Sequence, residues 1–230
     1  MKKKEKCIIA TVKPWNIENV EKFIADNKNM EVYLITGRKE LNYSKLKSID
    51  PRYIFFPHWS WIIPENIYEN FECVVFHMTD LPFGRGGSPL QNLIVRGYDK
   101  TKISAIKVVK QLDAGPVYLK RSLSLKGNAE EIYRRAAEII FLKMIPNIMK
   151  NQLVPEKQRG KTVVFKRRKP EQSNIRKLAA LKQVYDHIRM LDAEGYPKAF
   201  LETEELKLKF SKAVFKKGKL KAEVDFEVKK

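Results

Sequence analysis

The stretch VVFHMTDLPFGRGGSPLQNL, residues 74–93, decides the fold. It opens with solid β-forming apolar residues that end at His77, as in a strand covered on both faces. A glycine-rich loop follows, and Ser88 and Pro89 are residues preferred at the N-cap and the first position of a helix. The pattern therefore predicts a strand, a loop and a helix in succession, with a histidine at the carboxyl end of the strand.

The same alternation extends to both sides of this stretch. Residues 102–125 have the pattern of two strands joined by a turn, and residues 128–150 have that of an amphipathic helix. Strands that alternate with helices are typical of a parallel α/β sheet. Further short apolar runs, separated by helix-like segments, lie at residues 7–12, 31–36 and 53–57.

The alternating pattern ends near Gln152, which indicates a division of the chain. We predict a catalytic α/β domain over residues 1–152 and a smaller subdomain over residues 153–230. The subdomain would comprise a basic linker, a helix over residues 174–197 and a β-hairpin that turns at Gly218.

The composition limits the classes of partner and site. The chain has 230 residues and a formal net charge of +19, which favours an RNA partner, a diphosphate-bearing substrate or a lysine-rich soluble surface. Its two cysteines and three histidines are not at ligand spacing, so we expect no metal site and two buried free thiols. No apolar run reaches the roughly 18 residues of a membrane span, and no secretory signal is evident. We therefore expect a cytoplasmic protein without a membrane partner.

Two polar residues stand out at predicted strand ends. His77 follows CVVF, and Asp113 lies in QLDAGP after the next predicted strand. Open α/β sheets bind ligands at the carboxyl ends of their strands. An imidazole there can transfer a proton near pH 7, and a neighbouring carboxylate would complete a proton-transfer pair. Either residue alone also suits a structural role.

The order and spacing of these segments resemble the folate-dependent formyltransferase family. That family has Asn-x-His, then Ser-Leu-Leu-Pro, Arg-Gly and a proline, and later Leu-Asp-x-Gly; HMTDLPFGRGGSPLQ and LDAG follow this order here. The 36 residues from His77 to Asp113 match the usual separation. Downstream, FKRRKPEQSNI and IRMLDAEGYPKAF resemble segments after the catalytic domain of tRNA and sugar formyltransferases.

The resemblance implies a Rossmann-like sheet and the transfer of a formyl group from N10-formyltetrahydrofolate to an amine. His77 would stabilise the oxyanion that forms when the amine attacks, and Asp113 would orient the imidazole and relay the proton of the amine. The implied contacts to the cofactor are Leu81, Pro82, Arg85, Gly86, Leu112 and Trp59. The implied contacts to the substrate are Thr79, Arg167 and Arg168.

The chain departs from the family pattern in two places. Val75 stands where the family has asparagine, and the loss of such a donor costs about 10²–10³ in rate. Asn92 and His58 are the candidates to replace it, ahead of Ser104 and Thr79. In addition, TVKPWN, residues 11–16, stands where the family has a glycine-rich turn.

The resemblance leaves three interpretations of the function open: two differ in the acceptor of the formyl group, and the third is non-catalytic. Only 30 residues follow Phe200, which favours an amino-sugar substrate, nucleotide-linked, because tRNA enzymes have a longer C-terminal domain. The net charge of +19 favours a tRNA-directed enzyme with a shortened appendage. The valine at position 75 favours a non-catalytic folate or sugar binder. Pairing of the C-terminal hairpins into a homodimer is also left open.

Overall fold

The computed structural model describes residues 4–229. Its strands are β1 (Glu5–Ala10), β2 (Met30–Ile35), β3 (Tyr53–Phe56), β4 (Cys73–His77), β5 (Phe83–Gly86), β6 (Lys100–Lys107), β7 (Val117–Ser124), β8 (Val163–Phe165), β9 (Ala199–Glu202), β10 (Leu206–Lys216) and β11 (Lys219–Val228). Its helices are α1 (Pro14–Asp26), α2 (Tyr43–Ile49), α3 (Glu65–Tyr68), α4 (Pro89–Val95), α5 (Ala129–Ile139), α6 (Ile145–Asn151) and α7 (Leu181–Arg189). Short 3₁₀ turns lie at Arg38–Glu40 and Pro170–Ser173.

A mixed sheet in the order β2-β1-β3-β4-β6-β7 forms the centre of the fold. The first four strands are parallel, as predicted, and β6 runs antiparallel to β4, with His77 opposite Ser104 and Val74 opposite Lys107. An antiparallel edge on a mostly parallel sheet is common in α/β folds. The α/β class is confirmed, and the antiparallel direction of β6 is added to it, because apolar runs carry no information about strand direction.

The central strands are buried on both faces, as their solid apolar runs predict. Ile8 and Ile54 contribute to a core cluster that also includes Leu46 of α2 and Ile67 of α3. Cys7 and Cys73 are both free and buried, and burial raises the pKa of each thiol to about 12. No described helix has the length and apolarity needed to cross a membrane.

The helix predicted over residues 128–150 is present with one irregularity. Between α5 and α6 the chain makes a π-helical turn at Ile140–Met144. Pro146 follows directly, and proline lacks the N–H that would continue the α-helical ladder. The π-helical turn thus lies just before the first turn of α6, where the missing N–H of a proline is tolerated.

The chain forms two compact units from interleaved segments. Of the described residues, one unit contains 4–85, 102–123 and 134–164, and the other contains 86–101, 124–133 and 165–229. These breaks differ from the domain boundary near Gln152, which stays a prediction.

The second unit contains the predicted C-terminal hairpin, extended by a third strand. Strand β10 pairs antiparallel with both β11 and β9, and the hairpin turns at Gly218. The helix predicted over residues 174–197 is wrong at both ends, because α7 covers only Leu181–Arg189. The Ile175 N–H donates to the carbonyl of Phe200 in β9 at 2.8 Å, and Asn174 forms an isolated β-bridge with Phe200, so this backbone is bonded to β9 and is not helical.

A buried polar network replaces the glycine-rich turn after β1. Thr11 Oγ1 donates to the Pro57 carbonyl at 2.7 Å. Asn16 Nδ2, at the start of α1, donates to Thr11 Oγ1 at 2.9 Å and to the same carbonyl at 3.1 Å. Thr11 and Asn16 are 0% and 2% exposed, so these bonds hold the start of α1 to the end of β3 without competition from water.

We expect Asn16→Ala to lower the free energy of unfolding by about 1–3 kcal/mol, because it leaves a buried hydroxyl and a buried carbonyl short of a donor. Urea denaturation followed by circular dichroism measures the change. The exposed Asn66→Ala is the matched control, with an expected effect within about 0.5 kcal/mol. Equal effects of the two variants would contradict the role of the network.

Candidate active site

A cavity of 380 Å³ lies beside the last residues of β3 and β4. Its volume is within the range of small-molecule pockets, and its walls are mainly apolar and aromatic. His77 and Asp113 are both in its lining, which also includes Val75, Leu112 and Trp59. The carboxyl ends of parallel strands thus form a pocket, as expected for this class of sheet.

His77 is held between a backbone carbonyl and a carboxylate. Its Nε2 lies 2.7 Å from the Gly84 carbonyl oxygen, and its Nδ1 lies 3.5 Å from Asp113 Oδ1. Because a carbonyl oxygen only accepts hydrogen bonds, Nε2 must carry a hydrogen and donate it. The second ring nitrogen, Nδ1, is therefore the one that faces the Asp113 carboxylate.

Asp113 reaches His77 by a route that the sequence did not predict. Since β6 is antiparallel to β4, its carboxyl end is not at the edge where β4 ends. The loop of residues 108–116 after β6 brings the carboxylate to His77 instead. The predicted pair is thus brought together, but by a loop and not by neighbouring strand ends.

The LDAG segment has the residues that this loop requires. Asp113 has φ of 53°, in the left-handed region that aspartate tolerates better than most residues. A Cβ atom at position 115 would lie 1.7 Å from the Lys107 carbonyl oxygen, so only glycine fits there. The loop is therefore packed against β6 at backbone distance, which fixes its path.

The spacing of the pair suits proton exchange after a small movement. A separation of 3.5 Å is longer than an ordinary hydrogen bond of about 2.7–3.2 Å. Catalytic hydrogen bonds often tighten only when substrates bind. A slight approach of the Asp113 loop would allow a proton to pass between Nδ1 and the carboxylate.

Gln158 is a polar residue of this region that the sequence analysis missed. Its Oε1 accepts from Arg85 Nε at 3.1 Å and from Arg85 Nη2 at 2.8 Å. Its Nε2 donates to the carbonyls of Asp113 and Gly115, each at 2.8 Å. A single glutamine in a basic linker carries no periodicity or motif of its own. Only its sequence position after the helix, in the segment KQRGK, could have drawn notice.

His58 lines the same cavity as His77 and Asp113. It has φ of 57° and contacts the Trp15 ring edge-on, with centroids 5.7 Å apart. Desolvation, with the nearby Lys13 ammonium, lowers the pKa of His58 to about 3. The imidazole is therefore neutral at ordinary pH and can take part in hydrogen bonds without supplying an extra proton.

The predicted cofactor contacts divide into two groups. Trp59 and Leu112 line the cavity. Leu81 and Pro82 are buried and are not among the described residues of its lining. The same holds for Thr79, a predicted substrate contact, whose hydroxyl donates to the Gly84 carbonyl at 3.3 Å. Their contacts favour a role in shaping the loop after β4 over the predicted ligand contacts.

Asn92, a candidate to replace the family asparagine, belongs to the second unit. Its Nδ2 donates to the carbonyls of Gly87, Ser88 and Lys166 at 3.0–3.1 Å, and its Oδ1 accepts from Arg96 at 2.8 Å. The amide is fully engaged in holding the start of α4 to the segment after β8. This arrangement favours a structural role.

Three further predicted residues belong to the same second unit. Gly86 has φ of 98°, which a side chain would strain. Arg167 is exposed, and its backbone approaches Gly87 so closely that a Cβ there would lie 2.6 Å from Arg167 Cβ. Arg168 Nη2 donates to the Gln172 carbonyl at 2.6 Å, and desolvation lowers the pKa of this guanidinium. Of these side chains, Arg167 is the one accessible to an anionic partner.

Comparison with known proteins gives two strong similarities. The family model described as methionyl-tRNA formyltransferase, C-terminal domain, matches residues 170–227. A solved methionyl-tRNA formyltransferase from Clostridium thermocellum is 55% identical, with a TM-score of 0.96, and the match covers 98% of this chain and 100% of that one.

Other relatives are more distant. A methionyl-tRNA formyltransferase from Bacillus cytotoxicus is 29% identical over 163 residues, covering 67% of this chain and 52% of that protein. The chain thus spans about half the length of the curated relatives that it matches.

Two solved structures below 25% identity share the fold. HypX from Aquifex aeolicus in complex with tetrahydrofolic acid has a TM-score of 0.76 at 14% identity, covering 92% of this chain and 38% of that one. A sugar N-formyltransferase from Shewanella has a TM-score of 0.65 at 11% identity, and the match covers 88% of this chain and 94% of that one.

The low pKa of His58 predicts a specific pH dependence of stability. Between pH 6.5 and about 3 the unfolded state binds a proton at His58 that the folded state does not, so stability falls as pH falls. With a slope of about 1.4 kcal/mol per pH unit, the loss reaches up to about 2 kcal/mol at pH 5.

His58→Asn removes this titration and suits the left-handed backbone. We expect the difference in unfolding free energy between the variant and the parent to shift in favour of the variant from pH 7 to pH 5. Urea denaturation at each pH measures it. The control is the exposed Asn66→Ala, which removes no titratable group. A constant difference across this range would contradict the assignment.

Proposed function

The chain belongs to the formyltransferase family, and we propose that it transfers a formyl group from N10-formyltetrahydrofolate to the amine of an aminoacylated tRNA. The observation that carries the reaction is the His77–Asp113 pair in the lining of the cavity. A pair of this kind can stabilise developing negative charge and relay a proton, the two tasks that transfer to an amine requires.

The choice of acceptor rests on similarity and charge. Identity of 55% over both chains with a methionyl-tRNA formyltransferase favours methionyl-tRNA over the amino sugar expected from the sequence. The sugar enzyme is similar at 11% identity, a level that supports the fold alone. A net charge of +19 also suits a polyanionic acceptor.

The cavity has features that fit the folate cofactor. Trp59 and Trp61 pack with ring centroids 4.8 Å apart, and together with Leu112 they offer the apolar surface that a pterin ring needs. Trp59 Nε1 is buried without a hydrogen-bond partner among the described residues, so a ligand acceptor atom would satisfy it. When bound, the cofactor supplies the formyl carbon as the electrophile.

His77 and Asp113 would divide the chemistry between them. A hydrogen on Nδ1 can be donated to negative charge developing on the formyl oxygen, while Nε2 stays bonded to Gly84. The Asp113 carboxylate would offset positive charge on the ring and accept the proton that the amine loses. As the bond between the amine and the formyl carbon forms and the bond from that carbon to N10 breaks, this proton would pass to the departing N10, which leaves as tetrahydrofolate. Val75 contributes no polar group, and the neutral His58 in the same lining is the donor that we propose in place of the family asparagine.

We expect His77→Asn and Asp113→Asn each to lower turnover by about 10²- to 10⁴-fold, because each removes a proton-transfer group. Steady-state formylation assays measure the loss. His187→Asn and the exposed Asp225→Asn are matched controls with turnover near that of the parent. Turnover near normal in either site variant would contradict the assignment of the pair.

The acceptor is tested by parallel assays with methionyl-tRNA and with free and nucleotide-linked amino sugars. We expect formylation of the tRNA, with an affinity that falls steeply as salt rises, because cationic side chains release counterions from the phosphates. Formylation of sugars alone would overturn the tRNA proposal. Binding of tetrahydrofolate without formylation of any acceptor would instead support a non-catalytic binder, as the valine at position 75 suggests.

A further inference from the structure

The side-chain amide of Gln158 has every hydrogen-bonding position filled. Two donor groups of Arg85 approach Oε1, at 3.1 and 2.8 Å. Both hydrogens of Nε2 are directed to carbonyls, those of Asp113 and Gly115, at 2.8 Å. An amide has two lone pairs and two hydrogens to offer, so this residue is completely satisfied. A side chain bonded in this way has little freedom to move.

These contacts close a ring through the proposed reacting pair. His77 donates to the carbonyl of Gly84, and the next residue, Arg85, donates to Gln158. Gln158 donates to the backbone of Asp113, whose carboxylate faces His77 Nδ1. The ring therefore joins three separate segments of the chain, and Gln158 is the link between β5 and the loop after β6.

Gln158 binds the loop of residues 108–116 beside its left-handed residue. The two carbonyls that it binds flank Ala114, next to the left-handed backbone of Asp113. Neither Gln158 nor Arg85 is among the described residues that line the cavity. Their contribution is therefore to placement, not to contact with a ligand.

From this geometry we propose that Gln158 is a positioning residue that sets the separation of Asp113 from His77, with Arg85 as its anchor. The proposal rests on the proposed function of the pair in formyl transfer. It gives Arg85 a different task from the cofactor contact expected from the sequence, since the guanidinium group is turned to Gln158.

Two substitutions of Gln158 distinguish the role of its amide oxygen from that of its amide nitrogen. Gln158→Glu keeps an oxygen for Arg85 but cannot donate to the Asp113 and Gly115 carbonyls, because a carboxylate only accepts. Gln158→Met has similar length and keeps neither set of bonds. Both variants release the loop, and Gln158→Glu alone retains the bond to Arg85.

We expect both variants to lower kcat by about 10- to 100-fold, because small displacements of reacting groups carry losses of this size. The KM values for N10-formyltetrahydrofolate and methionyl-tRNA should change by less than about threefold, since the cavity lining is intact. The exposed Gln183→Ala on α7 is the control, with unchanged kcat. Normal kcat in Gln158→Glu would overturn the proposal, as would a lower melting temperature with unchanged kcat in both variants.

A second measurement does not depend on turnover. The chain has three histidines, so ¹⁵N-labelled imidazole signals in the full protein can be assigned with His77→Asn. At fixed pH we expect the ¹⁵N chemical shift of His77 Nδ1 to change in both Gln158 variants and to stay the same in Gln183→Ala.

The two measurements distinguish the possible failures. A parent protein that formylates no acceptor defeats the proposed function, and the imidazole signals still test the placement of Asp113. An active parent with unchanged His77 signals in both Gln158 variants defeats the positioning proposal alone.

Discussion

The candidate site depends on the antiparallel direction of β6, which places the carboxyl end of this strand away from His77. Because β6 runs opposite to β4, its carboxyl end cannot present a side chain at the edge where His77 lies. The carboxylate has to be brought there by the loop of residues 108–116, and this loop tolerates few residue types. A left-handed aspartate and a glycine that packs on the backbone of β6 are the local requirements. Gln158 then adds a contact from a distant segment of the chain.

Part of this arrangement could be predicted from the sequence, for physical reasons. Solid apolar runs identify buried strands reliably, and β1 to β4 lie close to where those runs were found. The pairing of His77 with Asp113 followed from the order and spacing of two segments. Strand direction leaves no trace in apolar patterning, so the antiparallel β6 and the route of its loop could not be predicted.

Other features depend on contacts between residues remote in sequence. The helix expected from residue 174 begins only at Leu181, because the backbone of Ile175 bonds to β9. Thr79 and Leu81 matched the family pattern, yet burial keeps both from the cavity lining. Helical periodicity and motif spacing describe a segment by itself. Burial and hydrogen-bond partners are properties of the folded chain.

The bridge through Gln158 also has a consequence for the order in which the site is completed. His77, Arg85 and Asp113 all precede Gln158 in the chain, the last of them by 45 residues. A ribosome therefore produces His77 and Asp113, the proposed reacting pair, before the residue that bridges their two segments. The hydrogen bonds of Gln158 can form only after the linker beyond α6 has emerged. The proposed positioning of the pair is thus encoded later in the chain than the pair itself.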